Sequence, residues 1–164
     1  MRKKFLLLTL MAWIGLSVQL ANAQIGLGGG FAYGTEVEKL GLDLRADFKL
    51  GDKWALAPNF NFFFPRETRD HIHRWAGFNF DAHYLFNVEN SFYFYPLFGL
   101  NITSYSTERK SDDRRWKNSE IGVNIGMGSE FKIAGQLDGF VEFKYVAIKY
   151  VDQAVVSFGV LYRL

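Results

Sequence analysis

Residues 40–50 alternate without a break. In an extended chain Leu40, Leu42, Leu44, Ala46, Phe48 and Leu50 fall on one face, and Gly41, Asp43, Arg45, Asp47 and Lys49 on the other. A strand points successive side chains to opposite faces, whereas a helical period of 3.6 would mix the two sets. The segment therefore predicts a strand with one apolar and one polar face.

Seven further segments repeat the pattern: 25–33, 54–64, 75–86, 92–105, 119–133, 139–148 and 154–164. In 54–64, Trp54, Leu56, Phe60, Phe62 and Phe64 oppose Ala55, Ala57, Asn59 and Asn61. In 119–133, Ile121, Val123, Ile125, Met127 and Phe131 oppose Glu120, Gly122, Asn124, Glu130 and Lys132. The eight segments run from 9 to 15 residues. A strand crossing a bilayer needs ~9–11, and globular strands more often have ~5–6. The connections at 51–53, 87–91 and 134–138 are short, and those at 65–74 and 106–118 are longer and charged. Short turns on one side and long loops on the other mark a transmembrane barrel. The expected fold is all-β: an eight-stranded antiparallel up-and-down transmembrane β-barrel.

Residues 1–23 read as an export signal. Arg2, Lys3 and Lys4 precede an uncharged core, and Ala21, Asn22 and Ala23 form a small-residue cleavage site. The apolar core is shorter than the ~20 residues a spanning helix requires. Without these three bases the remaining 141 residues carry 16 bases and 17 acids. The formal charge of +2 becomes −1, and the compositional case for a nucleic-acid partner disappears. Cys is absent, which excludes disulfides and thiol chemistry.

Periodicity does not say which face is inside. A soluble lipocalin-like carrier hides its apolar face, and a membrane barrel turns it to lipid. No charge falls on the apolar face, as lipid demands. The polar face carries Asp43, Asp47, Asp81, Glu120, Glu130 and Glu142 against Arg45, Lys49, Lys132, Lys144 and Arg163, with His83 beside them. This near-balance predicts a charge network filling a narrow lumen, since buried charge must be paired. Glycines 26, 28, 30, 122, 126, 128 and 159 share that face and leave room for long side chains. Trp54, Phe86, Phe92 and Tyr162 fall near the short turns, where an aromatic girdle is expected. Pro58 and Pro96 lie within strands, and each predicts a bulge or register shift because proline lacks the ladder donor.

Residues 24–164 resemble the small eight-stranded outer-membrane barrels of the OmpX/OmpA transmembrane type. The likeness rests on the export signal, the strand count, the glycine-rich first strand and the terminal alternation of Phe158, Val160, Tyr162 and Leu164. That terminal strand is similar to the signal read by the barrel-assembly machinery, although Leu164 stands where Phe is usual. The resemblance implies an integral outer-membrane protein among lipopolysaccharide, without cofactor, and places function in the surface loops: adhesion, surface interaction or envelope support. A small-solute, porin-like channel, an outer-membrane lipid-modifying enzyme and a soluble lipocalin-like carrier are the competing readings.

Three candidate sites remain. In 106–118, Arg109, Lys110, Arg114, Arg115 and Lys117 outnumber Glu108, Asp112 and Asp113, which suits anionic headgroups or a partner surface. In 65–74, His71 and His73 alone specify a metal site weakly. Asp81, His83 and Ser157 offer the residue types of acyl transfer, but nothing in their spacing brings them together.

Overall fold

The computed structural model describes residues 24–89, 91–111, 115–149 and 152–164. The expected export signal lies outside the described residues, and so does Arg114. The strands are β1 (Gln24–Gly34), β2 (Lys39–Leu50), β3 (Trp54–Glu67), β4 (His71–Tyr84), β5 (Phe86–Glu89), β6 (Phe92–Arg109), β7 (Arg115–Ala134), β8 (Leu137–Ile148) and β9 (Gln153–Arg163). They form one sheet in the order β4-β3-β2-β1-β9-β8-β7-β6-β5, and a further β4–β6 pairing closes it. All pairings are antiparallel.

The nine segments make eight staves. β4 and β5 meet β6 in one continuous register on either side of Leu85, with His83 opposite Leu97 and Phe86 opposite Phe94. β3 begins at Trp54, opposite Tyr84, so the stave outruns this neighbour. The Leu85 N–H then donates to the Lys53 carbonyl at 2.7 Å.

The expected register shifts at the two prolines are not found. Pro58 pairs with Phe80 in an unbroken β3–β4 register, and Pro96 pairs with Met127 in an unbroken β6–β7 register. Pro58 costs only local pairing with β2, between Arg45↔Asn59 and Phe48↔Leu56. Pro96 stands across from Tyr84, where β4 ends. The register is held by many neighbouring pairs, so one missing donor opens a gap without sliding the strand. Shifts occur instead between Phe63 and Arg66, Asn87 and Glu89, and Lys132 and Ala134, all at strand ends.

The charged loops expected at 65–74 and 106–118 are mostly strand. β3 and β4 continue to Glu67 and His71, and β6 and β7 continue to Arg109 and Arg115. Meanwhile β8 first meets β7 at Ile148↔Gly122. β3, β4, β6 and β7 therefore rise past their neighbours as a four-stranded wall on the side away from the chain end Leu164. Transmembrane barrels carry their longer connections on the outer side.

The outward face is an apolar belt. Leu44, Phe60, Phe80, Phe98, Ile125, Phe143 and Phe158 are exposed around its middle. Trp54, Phe86, Phe92 and Tyr162 ring its lower edge, as expected of a girdle. Trp54 and Tyr84 meet edge-on with centroids 4.9 Å apart.

Inside, two small apolar plugs bracket a polar middle. The upper one packs Ala32, Phe63, Val146 and Val155 with Val37, which the β1–β2 turn inserts into the barrel mouth. Glu38 closes that turn with φ of 52°. The lower plug packs Ala55, Leu85, Tyr95 and Leu97.

Candidate functional site

The polar middle begins with Arg45 on β2. Its guanidinium grips Asp43 through two bonds, Nε to Oδ1 at 2.9 Å and Nη2 to Oδ2 at 3.0 Å. Nη1 donates to Glu142 Oε2 on β8 at 3.0 Å, and the group lies 3.8 Å over the Phe140 ring. Lys144 completes the set, 2.9 Å from Asp81 Oδ2 and 3.5 Å from Glu142 Oε1. Two cations thus face three carboxylates in a space that water barely reaches.

Asparagines supply the missing donors. Asn61 donates to Asp43 at 2.9 Å, and Asn59 and Asn124 donate to Asp81 at 3.1 and 2.7 Å. Asn79 donates to Asn59 and Asn61, and accepts from Asn101 and Asn124. Neutral amides can satisfy carboxylate lone pairs without adding charge. The band is therefore a connected hydrogen-bond network, the arrangement that makes buried charge tolerable.

A second cluster fills the lower mouth. Arg163 reaches Asp47, Glu130 and Asp138, the last at 2.8 Å from Nε. Lys49 binds Glu130 at 2.6 Å. Here too two cations face three carboxylates. The lower mouth opens into a polar vestibule of about 270 Å³, so this cluster keeps contact with water. Gly26 makes room for Arg163, whose Nη1 would lie 2.7 Å from a Cβ there. Gly128 likewise yields to the Tyr95 ring, 2.5 Å from a Cβ. Gly28, Gly30 and Gly159 instead relieve close approach of the adjacent backbone.

The structure brings together Asp43, Arg45, Asp47, Lys49, Asp81, Glu130, Glu142, Lys144 and Arg163 as lumen residues. His83 joins them, stacked on Tyr95 with centroids 4.2 Å apart and 3.7 Å from Glu142. Two expected members are elsewhere. Glu120 sits above the last β7–β8 pair and bonds Asn118 at 3.0 Å. Lys132 is exposed at the lower rim, 3.9 Å from Asp138. Asp138, expected in a turn, is buried instead. The interior therefore carries an excess of acid rather than the near-balance expected.

Ser157 does not meet His83. Neither Ser157 Oγ nor His83 Nε2 has a hydrogen-bond partner, and Asp81 is committed to Lys144. His71 and His73 have ring centroids 6.1 Å apart, and His73 Nδ1 lies 3.0 Å from Thr107 Oγ1.

The wall divides the candidate surface residues between two faces. Arg109 lies on the inner side, 5.3 Å over the Trp116 ring. Lys110 occupies the tip and binds Glu67 at 2.9 Å. Arg115 and Lys117 alternate with Trp116 and so point to the outer side. Arg74, not anticipated, joins them there: Glu108 lies between Arg74 at 2.6 Å and Arg115 at 3.2 Å.

A closed antiparallel barrel with an uncharged belt, an aromatic rim and a packed ionic interior defines a transmembrane β-barrel of the outer-membrane class. The comparisons agree with that geometry. The family model described as "Outer membrane protein beta-barrel domain" matches residues 7–163, and the chain belongs to that family. No curated protein sequence matches the chain. Among solved structures it is similar to Ail, the attachment invasion locus protein of Yersinia pestis, at 16% identity and a TM-score of 0.63, covering 87% of this chain and 97% of that one. Neisserial surface protein A is similar at 17% identity and a TM-score of 0.62, covering 87% and 96%. The outer membrane protein OprG from Pseudomonas aeruginosa is similar at 13% and 0.66, covering 87% and 96%. At these identities the likeness is one of fold.

Proposed function

We propose that this protein is a non-conducting, non-catalytic outer-membrane barrel whose wall is an attachment surface facing the medium. The observation that carries the reading is the asymmetry between interior and wall. Lys144, Glu142, Tyr95 and Leu97 fill the lumen at 2% exposure or less. The β6–β7 pairing, by contrast, runs on from Thr103↔Glu120 to Glu108↔Arg115, beyond what a bilayer needs. Ail, one of the structural neighbours, is an attachment protein and has been solved with the heparin analogue sucrose octasulfate. The Arg109–Trp116 pair and Lys110 offer cationic and aromatic contacts suited to an anionic saccharide. Export through a cleaved leader, insertion by the barrel-assembly machinery and residence among lipopolysaccharide belong to the same reading.

Attachment of cells to heparin-coated and uncoated surfaces tests it. Cells displaying the full chain are expected to attach. Cells displaying a barrel with both wall hairpins shortened to the rim are expected not to. Equal attachment by the two, or stable single-channel conductance of the purified protein in planar bilayers, overturns the proposal.

A further inference from the structure

The upper mouth holds a cavity that the attachment reading leaves without a role. It lies between the short β1–β2 turn and the inner face of the wall, with a volume of about 300 Å³. Glu36 and Val37 line it from the turn, Arg66 and Thr68 from the top of β3, and His73 and Trp75 from β4. Val37 is buried and the half-buried Trp75 packs against it, so the cavity has an apolar side. Trp75 is held there by stacking on Tyr105, with centroids 5.3 Å apart.

The charges of the lining are not matched. Arg66 turns to Glu38, the residue after Val37, and the two bond at 2.8 Å and neutralise each other. Burial, then His71 and Arg66, holds the His73 imidazole below its ordinary 6.5, so it is uncharged at neutral pH. Glu36 is left over. Its side chain is exposed and makes no hydrogen bond or ion pair with another described residue. Lys39, the nearest base in sequence, does not line the cavity, and its field acts on Glu67. An unopposed carboxylate beside an indole and an aliphatic side chain can hold a cation by charge and by the ring face while the stem of the cation covers apolar surface.

We propose that this cavity binds an alkylammonium or guanidinium group on an apolar stem, the chemistry of a Lys or Arg side chain. The head lies on Glu36 and the stem lies against Val37 and Trp75. A few precisely placed polar groups over an apolar side is the usual make-up of a small-ligand site. The cavity differs from the wall tip in both place and sign of charge, so it stands or falls separately from attachment to heparin. A bare surface carboxylate would bind cations through charge alone. The cavity adds a requirement for the stem, and that requirement separates a built site from a loose counterion.

Chemical-shift titration of the full chain in detergent micelles tests this with four probes. Nα-acetyl-lysine amide carries head and stem, Nα-acetyl-norleucine amide the stem alone, ammonium chloride the head alone, and n-butylamine is the free-amine source. The lysine probe is expected to bind about tenfold or more tightly than either the norleucine probe or ammonium. Glu36→Gln, an exposed change in a turn, is expected to erase the preference over norleucine. Glu38→Gln frees Arg66 to compete for Glu36 and is expected to weaken the lysine probe several-fold. Glu89→Gln, at the opposite rim, is expected to change nothing. Binding of the lysine probe at least as tight as that of n-butylamine assigns the site to a polypeptide side chain, and the reverse order assigns it to a free amine. Equal binding of the lysine and norleucine probes, ammonium binding as tightly as the lysine probe, or an equal loss in Glu89→Gln overturns the site.

Discussion

Glu142 in the lumen and Glu108 on the wall are built alike. Each carboxylate stands between two cations: Arg45 at 3.0 Å and Lys144 at 3.5 Å for the first, Arg74 at 2.6 Å and Arg115 at 3.2 Å for the second. The distances would rank the wall cluster the stronger. The media reverse that ranking. Glu142 is 1% exposed and its two cations are equally enclosed, whereas Arg74 and Arg115 are 33% and 54% exposed. Water competes for every contact on the wall, and a buried charge has nothing but its partners.

The sharpest way to break this comparison is to remove each carboxylate. Glu142→Gln leaves Arg45 with Asp43 alone and weakens the hold on Lys144. Arg45 keeps Asp43 and Lys144 keeps Asp81, so the expected cost is that of weakened hydrogen bonds to buried charge, about 2–3 kcal/mol in urea unfolding from lipid vesicles. Glu108→Gln is expected to cost less than about 1 kcal/mol. Equal losses would mean that the lumen is as wet as the wall.

The belt edge offers a second contrast. Ile125→Arg places a cation at mid-bilayer and is expected to cost about 2–4 kcal/mol. Ser119→Arg, three outward positions higher on β7, is expected to cost about 1 kcal/mol or less. A steep cost at Ser119 would raise the hydrocarbon boundary past Ser119 and place the base of the wall within the bilayer.

The same contrast explains what the sequence disclosed. Alternation reports burial on one side of a strand, not strand pairing itself. Where lipid covered one face, residues 40–50 and 119–133 could be read directly, and Asp43, Arg45, Glu142 and Lys144 fell inside as expected. Where both faces are wet, the alternation fades although the backbone keeps pairing. Residues 106–109 and 115–118 consequently looked like a loop and are the arms of a hairpin. Inside, the asparagines were placed on the correct face but their purpose was invisible, because it depends on which carboxylate each stave brings opposite. Asn79 reaches Asn59, Asn61 and Asn101 because β4 lies between β3 and β6, and Asn124 joins from β7, the stave beyond β6. Asp138 was missed because β8 begins one residue before it, at Leu137, and no apolar alternation marks that start. Val146 and Val155 face inward against the simple rule that polar residues fill the lumen. They close its upper end, where an ionic layer would meet water.

Acidification gives the finest separation of the two regions. On the wall, a hydrogen bond from Lys110 lowers the Glu67 carboxyl below its ordinary 4.5, and one from Arg74 does the same for Glu108. Partial burial, then His71 and Arg66, holds His73 below 6.5. All three groups bind protons more readily in the unfolded hairpin than in the folded one. Each contribution is therefore complete above the ordinary value and lost as pH falls through the lowered one. Wall pairing is expected to loosen in two small stages, the first below 6.5 from His73 and the second below 4.5 from the carboxylates. Amide exchange, corrected for its intrinsic pH dependence, should show protection falling at Ile72 and Thr107 while Asn101 in the lumen band holds. His73→Gln is expected to remove the first stage and keep the second. Protection that rises on acidification, or a first stage that survives this substitution, would detach the effect from these groups and leave the wall no more pH-sensitive than the lumen.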